Sequence, residues 1–172
     1  MMAVNAAGVK VKYNMNHQDI QFLREAIRLA HEGPAQQAGG PFGALVVKDG
    51  EIVGRSFNRV PSTNDPTAHA EVMAIRDACA RLGTFQLHGC TLYASCEPCP
   101  MCLGAIYWAR PDRVVFAATQ SDAAAIGFDD QFIYEQIELP PAERSIPMTQ
   151  LLRDEALGAF VAWTQIENKT EY

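Results

Sequence analysis

The stretch SCEPCPMCLGAIYWARP, residues 95–111, places cysteines three positions apart at the start of an apolar, helix-forming run. Short β-rich segments flank it, CTLYAS before and RVVFAA after. This strand–helix–strand order predicts a crossover that joins two parallel strands, with the helix from Cys99 to Ala109 packed on the sheet. Cys99 and Cys102 lie on one face of that helix, so their sulfur atoms can share one metal ion.

A second segment, TAHAEVMAI at residues 67–75, carries a histidine and a glutamate two positions apart. Residues two apart on a regular helix point about 200° away from each other. A metal ion lying off the ends of two helices removes the conflict, because His69 can point along the axis and Glu71 can reach the ion from the first turn. One imidazole and two thiolates leave a tetrahedral zinc with one open position, which is typical of catalytic zinc.

The combined pattern, H-x-E followed by P-C-x-x-C, is the signature of zinc deaminases. In that chemistry Glu71 is not a ligand but moves the protons. A purely structural zinc would need a fourth protein ligand, from Cys96, Cys90 or His88, and would leave Glu71 without a role. A redox C-x-x-C pair is a weaker alternative. Cys96 precedes the helix, and we expect it to be a buried neighbour of the site rather than a third thiolate.

Outside these segments, hydrophobic periodicity predicts further helices and one hairpin. The hairpin turns at Asp49–Gly50, a dipeptide that favours tight turns. The order of elements predicts an α/β fold with a mainly parallel sheet between helices and the hairpin at one side. The predicted helices run from His17 to about Glu32 (stopping at Gly33-Pro34), over 67–82, and from Asp154 to about Asn168.

Composition predicts one domain, residues 1–172, with residues 1–14 as a loose tail. Of the 172 residues, 48% are hydrophobic, which is enough to bury a core. Five cysteines are an odd number, which favours a reducing, cytoplasmic compartment over a disulfide framework. The net charge of −6 argues against nucleic acid as a partner. The sequence contains no run near the ~20 apolar residues of a membrane span.

The chain resembles the cytidine deaminase-like superfamily through AHAE and CEPCPMCLGAIYWAR, and within it the bacterial guanine deaminases through GGPFGA, AAIGFDDQFIYEQI and the terminal NKTEY. The resemblance implies a three-layer α/β/α sandwich around a mixed, mainly parallel five-stranded sheet. It also implies a homodimer and one Zn²⁺ per chain, bound by His69, Cys99 and Cys102. The implied reaction converts guanine to xanthine and ammonia.

In the implied reaction, zinc-bound hydroxide attacks the amine-bearing carbon, and Glu71 shuttles protons. The amine leaves only after it receives a second proton, and Glu135 or Asp130 could deliver it. An ionised carboxylate accepts hydrogen bonds only, so Asp130 suits the adjacent N1–H and 2-amino donors of guanine. We expect Asp129, beside it, to belong to an exposed loop.

Other residues are expected to bind the nucleobase. Asn58, at the end of a strand, can donate to the O6 or N7 edge of guanine, although asparagines at such positions are also common in turns. Phe42 and Trp108 could sandwich the ring or belong to the core. The resemblance also assigns Ala70 to this site.

The resemblance further implies that the segment 154–172, a helix followed by NKTEY, closes over an active site of the dimer. Composition alone would make NKTEY a frayed tail. Tyr172 would then help to bind guanine and exclude water. The sequence leaves open whether this lid closes over its own chain or is domain-swapped onto the partner.

Three other functions share parts of the pattern. A tRNA adenosine deaminase would carry the same zinc motif, but basic residues are expected near its site, where this chain has GFDDQFIYEQI. A deaminase of free cytosine or cytidine is a second alternative. A non-catalytic zinc-binding module is the third, and it would not require Glu71.

Overall fold

The computed structural model describes residues 2–4, 10–12 and 16–171. Its strands are β1 (Met2–Val4), β2 (Lys10–Lys12), β3 (Gly43–Lys48), β4 (Glu51–Phe57), β5 (Cys90–Cys96) and β6 (Arg113–Ala118). Its helices are α1 (His17–Ala35), α2 (Val60–Thr63), α3 (Ala70–Leu82), α4 (Pro100–Ala109), α5 (Gln120–Ala124), α6 (Gln131–Glu138) and α7 (Arg153–Thr164), with a 3₁₀ turn at Pro141–Glu143. The predicted tail contains the short antiparallel pair β1–β2.

The main sheet has four strands in the order β4-β3-β5-β6. Strand β3 pairs antiparallel with both β4 and β5, and only β5 and β6 are parallel. The prediction of a mainly parallel, five-stranded sheet is therefore wrong for the described residues, which contribute four strands to it. The physical reason is that β3 lies between β4 and β5. The α3 crossover thus joins two strands that run the same way without pairing, whereas the α4 crossover joins true parallel neighbours.

Helices cover both faces of this sheet, as expected for an α/β/α sandwich. Successive residues of a strand point to opposite faces. Accordingly, Ala44 and Val46 of β3 pack with α3 and α4, whereas Leu45 and Val47 pack with α1. The layers position the two helices that carry the predicted metal ligands on the same side of the sheet.

Several helix boundaries differ from the predictions. Helix α1 continues through Gly33-Pro34 to Ala35, and α7 ends at Thr164. Helix α3 begins at Ala70, not at residue 67, because the start signals at 65–67 form a separate turn in which Asp65 accepts a hydrogen bond from the Thr67 backbone N–H.

The chain forms two compact units, Met1–Phe128 and Asp129–Tyr172. The second unit contains α6, the 3₁₀ turn and α7, and no residue of these helices is buried. Arg144 ties its loop to α6 by donating to the backbone carbonyls of Leu139 and Ile137, at 3.1 and 3.4 Å. Within the described residues, no helix has the length and apolar character that crossing a membrane requires.

Candidate functional site

The three predicted metal ligands come together where α3 and α4 begin. His69 Nδ1 lies 3.6 Å from Cys99 Sγ and 3.5 Å from Cys102 Sγ. Among the described residues, these three side chains are the group that could hold a metal ion. Their ligand atoms all lie within 4.8 Å of one another. The predicted grouping of His69, Cys99 and Cys102 is therefore confirmed.

These distances fit zinc. A tetrahedral zinc with bonds of about 2.3 Å to sulfur and about 2.0 Å to nitrogen holds such ligand atoms about 3.5 Å apart. The two nitrogen–sulfur distances given above match this value. One imidazole with two thiolates is also a donor set that suits zinc, and three protein ligands leave a fourth position open.

Helix capping explains why the ligands meet. His69 is the N-cap of α3 and Cys99 the N-cap of α4, both in extended backbone conformation. Pro100 fills the first helical position of α4, where a missing N–H costs nothing. The helix predicted to begin at Cys99 therefore begins one residue later. Cys102 lies in the first turn of α4, so both sulfurs lie at a helix N-terminus, where thiolates are stabilised.

Glu71 is buried beside the ligands, with 7% of its surface exposed. Its Oε2 accepts a hydrogen bond from Cys102 Sγ at 3.5 Å. Burial raises the pKa of the Glu71 carboxyl above its ordinary value, and the hydrogen bond from Cys102 opposes this shift. A buried carboxyl group with a raised pKa next to a metal site is suited to accept and release protons.

Hydrogen bonds among the three ligands shift their pKa values. A hydrogen bond from Cys102 lowers the pKa of the Cys99 thiol, and the same bond raises the pKa of Cys102. The hydrogen bond to Cys99 raises the pKa of His69. Metal binding requires both thiolates and a neutral imidazole, so it is accompanied by proton release.

The remaining candidate ligands lie elsewhere. Cys96 is buried, its Sγ donates to the Thr119 carbonyl at 3.4 Å, and burial raises its pKa to about 11. The expectation of a buried neighbour is confirmed. Cys90 opens β5 and Cys96 closes it, so Cys90 and the adjacent His88 lie about 20 Å along the strand from Cys96. A fourth ligand from Cys90 or His88 is therefore excluded by geometry.

Three predicted substrate residues lie at the same end of the first unit. Asn58 follows β4, is buried, and donates its backbone N–H to the Phe42 carbonyl at 2.9 Å. The Phe42 ring packs edge-on against Phe128, with ring centroids 4.9 Å apart. The Ala70 side chain belongs to the core, but its backbone N–H, in the first turn of α3, has no intrahelical partner.

The first unit does not place the other predicted substrate-binding and catalytic residues beside the metal ligands. Trp108 is 65% exposed, and its position is about 9 Å along α4 from that of Cys102. Asp130 and Glu135 belong to the second unit, as N-cap and exposed residue of α6, and Glu135 accepts from Gln131 Nε2 at 3.5 Å. Asp129 is exposed, as expected. Tyr172 lies outside the described residues.

Two supporting features had not been predicted. The buried Ser95 hydroxyl accepts the Gly43 N–H at 3.0 Å and so joins the start of β3 to the end of β5. The Gly39–Gly40 pair packs directly against Asn58. The glycine dipeptide before a strand was a usable signal, because adjacent glycines often mark a close approach of the backbone.

Comparison with known proteins places this geometry in a family. The family described as the cytidine and deoxycytidylate deaminase zinc-binding region matches residues 16–118. Guanine deaminase of Bacillus subtilis (strain 168) is 57% identical over 158 residues, which cover 92% of this chain and 100% of that protein. The X-ray structure of guanine deaminase from Bacillus subtilis superposes with a TM-score of 0.88, covering 92% of this chain and 99% of that chain.

More distant relatives match over part or most of the chain. A solved guanine deaminase from Nitrosomonas europaea is 31% identical, with a TM-score of 0.61, and the match covers 84% of each chain. A tRNA-specific adenosine deaminase of Aquifex aeolicus (strain VF5) is 47% identical over 96 residues, 56% of this chain and 60% of that protein. The guanine deaminase match thus extends into the second unit, far beyond the shared zinc-binding region. The chain belongs to the guanine deaminases within the cytidine and deoxycytidylate deaminase zinc-binding family.

Proposed function

We propose that this protein is a zinc-dependent guanine deaminase that converts guanine and water to xanthine and ammonia. The observation that carries the proposal is the His69–Cys99–Cys102 cluster with the buried Glu71 carboxylate against it, in a chain similar over 92% of its length to a guanine deaminase. The reaction forms a carbon–oxygen bond at the amine-bearing carbon and breaks the carbon–nitrogen bond there.

His69, Cys99 and Cys102 are the zinc ligands. When bound, zinc supplies a Lewis acid that lowers the pKa of water at the open position. Two thiolates balance the charge of the ion. The protein's own contribution is to hold these ligands at two helix N-termini and to keep a proton acceptor beside them.

Glu71 moves the protons. As a carboxylate it accepts a proton from the attacking water and passes it to the adjacent ring nitrogen. The amine is a poor leaving group until it is protonated, so a second proton must reach it before ammonia departs. The burial that raises the pKa of Glu71 favours its protonated form, the form that donates to the ring nitrogen.

Asn58, Ala70 and Phe42 bind the base. The Asn58 Oδ1 atom accepts two hydrogen bonds, from the backbone N–H groups of Gly40 and Val60. The NH₂ group of the same side chain therefore donates to the O6 or N7 edge of guanine. The Ala70 N–H, at the N-terminus of α3, can donate to a substrate carbonyl. The Phe42 ring provides one apolar wall, and Trp108 is assigned to the same ring sandwich.

The second unit completes the site in this proposal. Asp130 accepts from the N1–H and 2-amino groups that distinguish guanine from adenine and cytosine, and Glu135 delivers the second proton to the amine. Tyr172 closes the site against water. Support comes from the extent of the guanine deaminase match, which covers 92% of this chain and therefore extends into this segment.

A homodimer in which each second unit closes the partner's site is also part of the proposal. Large apolar side chains of the second unit are exposed, among them Phe132, Ile137, Leu151 and Phe160. In the first unit, α4 is apolar around its whole circumference, yet Leu103, Tyr107 and Trp108 are exposed. A helix of this kind is normally buried, and a second copy of the chain would cover these surfaces. The five unpaired cysteines support a reducing, cytoplasmic location.

One substrate panel tests the proposed function. The zinc-loaded protein is incubated with guanine, adenine, cytosine and a tRNA anticodon stem, and ammonia release is measured together with the product. We expect xanthine and ammonia from guanine only. Inosine formation in the tRNA stem, without xanthine from guanine, would contradict the proposal and make the chain a tRNA adenosine deaminase.

A further inference from the structure

The Asn58 carboxamide is fixed by the backbone of a glycine-containing loop. Its Oδ1 accepts hydrogen bonds from the N–H groups of Gly40 and Val60, at 3.2 and 3.3 Å. Only an oxygen can accept from these donors, so the opposite end of the group, the NH₂, must face away from the loop. The described residues provide no hydrogen-bond acceptor for Nδ2. The loop thus determines which way the amide donors of Asn58 point.

The loop can approach Asn58 only because residue 39 has no side chain. A Cβ on Gly39 would lie 2.0 Å from the Asn58 backbone oxygen and 2.5 Å from Oδ1, both far inside contact distance. The φ angle of Gly39 lies outside the left-handed region, so its backbone conformation does not require glycine. Space beside Asn58 is therefore the physical reason for glycine at this position.

A second glycine supports the loop from behind. Gly33 is buried in the last turn of α1, and a Cβ there would lie 2.8 Å from the Gly40 carbonyl oxygen. The Gly33 carbonyl also accepts the Ala38 N–H at 2.9 Å, and the Ala38 carbonyl accepts the Ser62 N–H at 3.3 Å. The loop is therefore held at both ends, and the Gly40 peptide lies between Gly33 and Asn58.

We propose that Gly33 and Gly39 are positioning residues that set the orientation of the Asn58 amide toward the nucleobase. This inference rests on the proposed guanine deaminase activity and adds to it the reason why the donor is held in one place. A Cβ at residue 33 pushes on the Gly40 carbonyl, and a displacement of the Gly40 backbone by a few tenths of an ångström lengthens the hydrogen bond from the Gly40 N–H to Oδ1. The amide is then free to rotate, and its contact with guanine weakens.

A double-mutant cycle in the full-length, zinc-loaded protein tests the inference. Gly33→Ala is the mild variant, because alanine favours the helix and its Cβ displaces only the Gly40 peptide. We expect Asn58→Ala and Gly33→Ala each to lower kcat/KM for guanine by roughly tenfold, about the loss of one hydrogen bond. In the double variant kcat/KM should fall no further than in Asn58→Ala, within about twofold, because no amide remains to be misplaced.

Gly54→Ala is the matched control. Its Cβ would lie 2.4 Å from the Ala74 carbonyl oxygen, a backbone clash in the strand that leads to Asn58 but without contact with the amide. Any effect of Gly54→Ala on kcat/KM should be the same with and without Asn58. Gly40→Ala, whose Cβ would lie 3.0 Å from the Phe128 ring, displaces the same peptide by another route and replaces Gly33→Ala if that variant does not fold.

Coupling between residues 33 and 58, with none between 54 and 58, is the expected result. Wild-type kcat/KM in Gly33→Ala, or full additivity of Gly33→Ala with Asn58→Ala, would overturn the positioning role. An absence of guanine turnover in the wild-type protein is a different outcome, because it refutes the proposed function itself.

Discussion

Residues 16–128 and residues 129–171 bury their apolar side chains very differently. The first region packs helices on both faces of a sheet, with residues such as Leu45 and Leu92 fully buried. The helices of the second region contain no buried residue, and Ile146 and Leu151 are more than three-quarters exposed. The first region therefore has a core of its own, whereas the second leaves large apolar side chains exposed.

The chemistry is distributed in the same way. The first region holds the metal ligands and Glu71 in buried, capped positions. The second holds Asp130 and Glu135 on a short helix with no buried residue. We assign the zinc ligands, Glu71 and one edge of the base to the first region, and the Asp130 contact, the second proton and closure to the second.

The metal ligands should have the largest effect. Cys102→Ala removes one of three protein ligands, so zinc binding and guanine turnover should both fall to background. Zinc per chain is measured by atomic emission alongside ammonia release. Cys96→Ala is the matched control, since Cys96 bonds to the Thr119 carbonyl and should leave zinc content unchanged. Zinc loss in Cys96→Ala would favour a site with three thiolates.

Glu71→Gln should come next. The amide keeps the volume and a hydrogen-bond acceptor for Cys102 but cannot move protons, so turnover should fall at least ~10²-fold. Zinc content and the melting temperature should stay close to those of the wild type. Full turnover in Glu71→Gln would remove this residue from the mechanism.

Deletion of residues 168–172 tests the second region without disturbing the first. The truncated protein should stay folded and zinc-loaded, because both core clusters lie before residue 129. Turnover of guanine should fall by about 10- to 100-fold, since closure positions the substrate and excludes water. Wild-type turnover in the truncated protein would show that the terminal residues form a solvated end.

Asp19→Asn should change stability while leaving turnover almost unchanged. Asp19 is buried and bonds to Tyr93, at 2.6 Å, and to Arg113, linking α1 to β5 and β6. Its loss should lower the free energy of unfolding by roughly 2 kcal/mol, a moderate value because Arg113 is partly exposed. Denaturant unfolding at pH 7 measures the difference, and an unchanged unfolding midpoint would contradict it.

The stabilisation that Asp19 and Arg113 provide should depend on pH in a defined direction. Burial alone would raise the pKa of Asp19, but hydrogen bonds from Arg113, Tyr93 and Asn16 outweigh it and hold the pKa below the ordinary 3.8. A depressed pKa means that the stabilisation is present above the ordinary value and disappears as pH falls through the folded-state pKa. The stability difference between the wild type and Asp19→Asn should therefore persist at pH 5 to 7 and shrink below pH 4.

The metal ligands were predictable because capping and spacing are local. His69, Cys99 and Cys102 could be identified from residue types and intervals alone, and so could the role of Glu71. Sheet direction was not predictable in this way. The placement of β3 between β4 and β5 depends on pairing across more than 40 residues, and no local pattern encodes it. The role of the loop around Gly39 was not predicted either, because it depends on the contact with Asn58, which is distant in sequence.

The positions of the second-region residues could not be predicted from local sequence. Asp130 and Glu135 have the right chemistry, but their location relative to the zinc ligands depends on packing against a surface that local sequence does not specify. Their assignment came from the resemblance of AAIGFDDQFIYEQI to guanine deaminases, not from spacing. The two regions therefore differ in predictability as well as in burial.

Complementation between two inactive variants tests most directly whether the two regions form one site across a dimer. Glu71→Gln and the 168–172 deletion are co-expressed with different tags, and the mixed dimer is purified through both. If each second unit closes the partner's site, the mixed dimer contains one intact site of two, and the purified mixed dimer should show about half of the wild-type turnover. Turnover of the purified mixed dimer no higher than the mean of its two parents, or failure of the two chains to associate, would contradict the account.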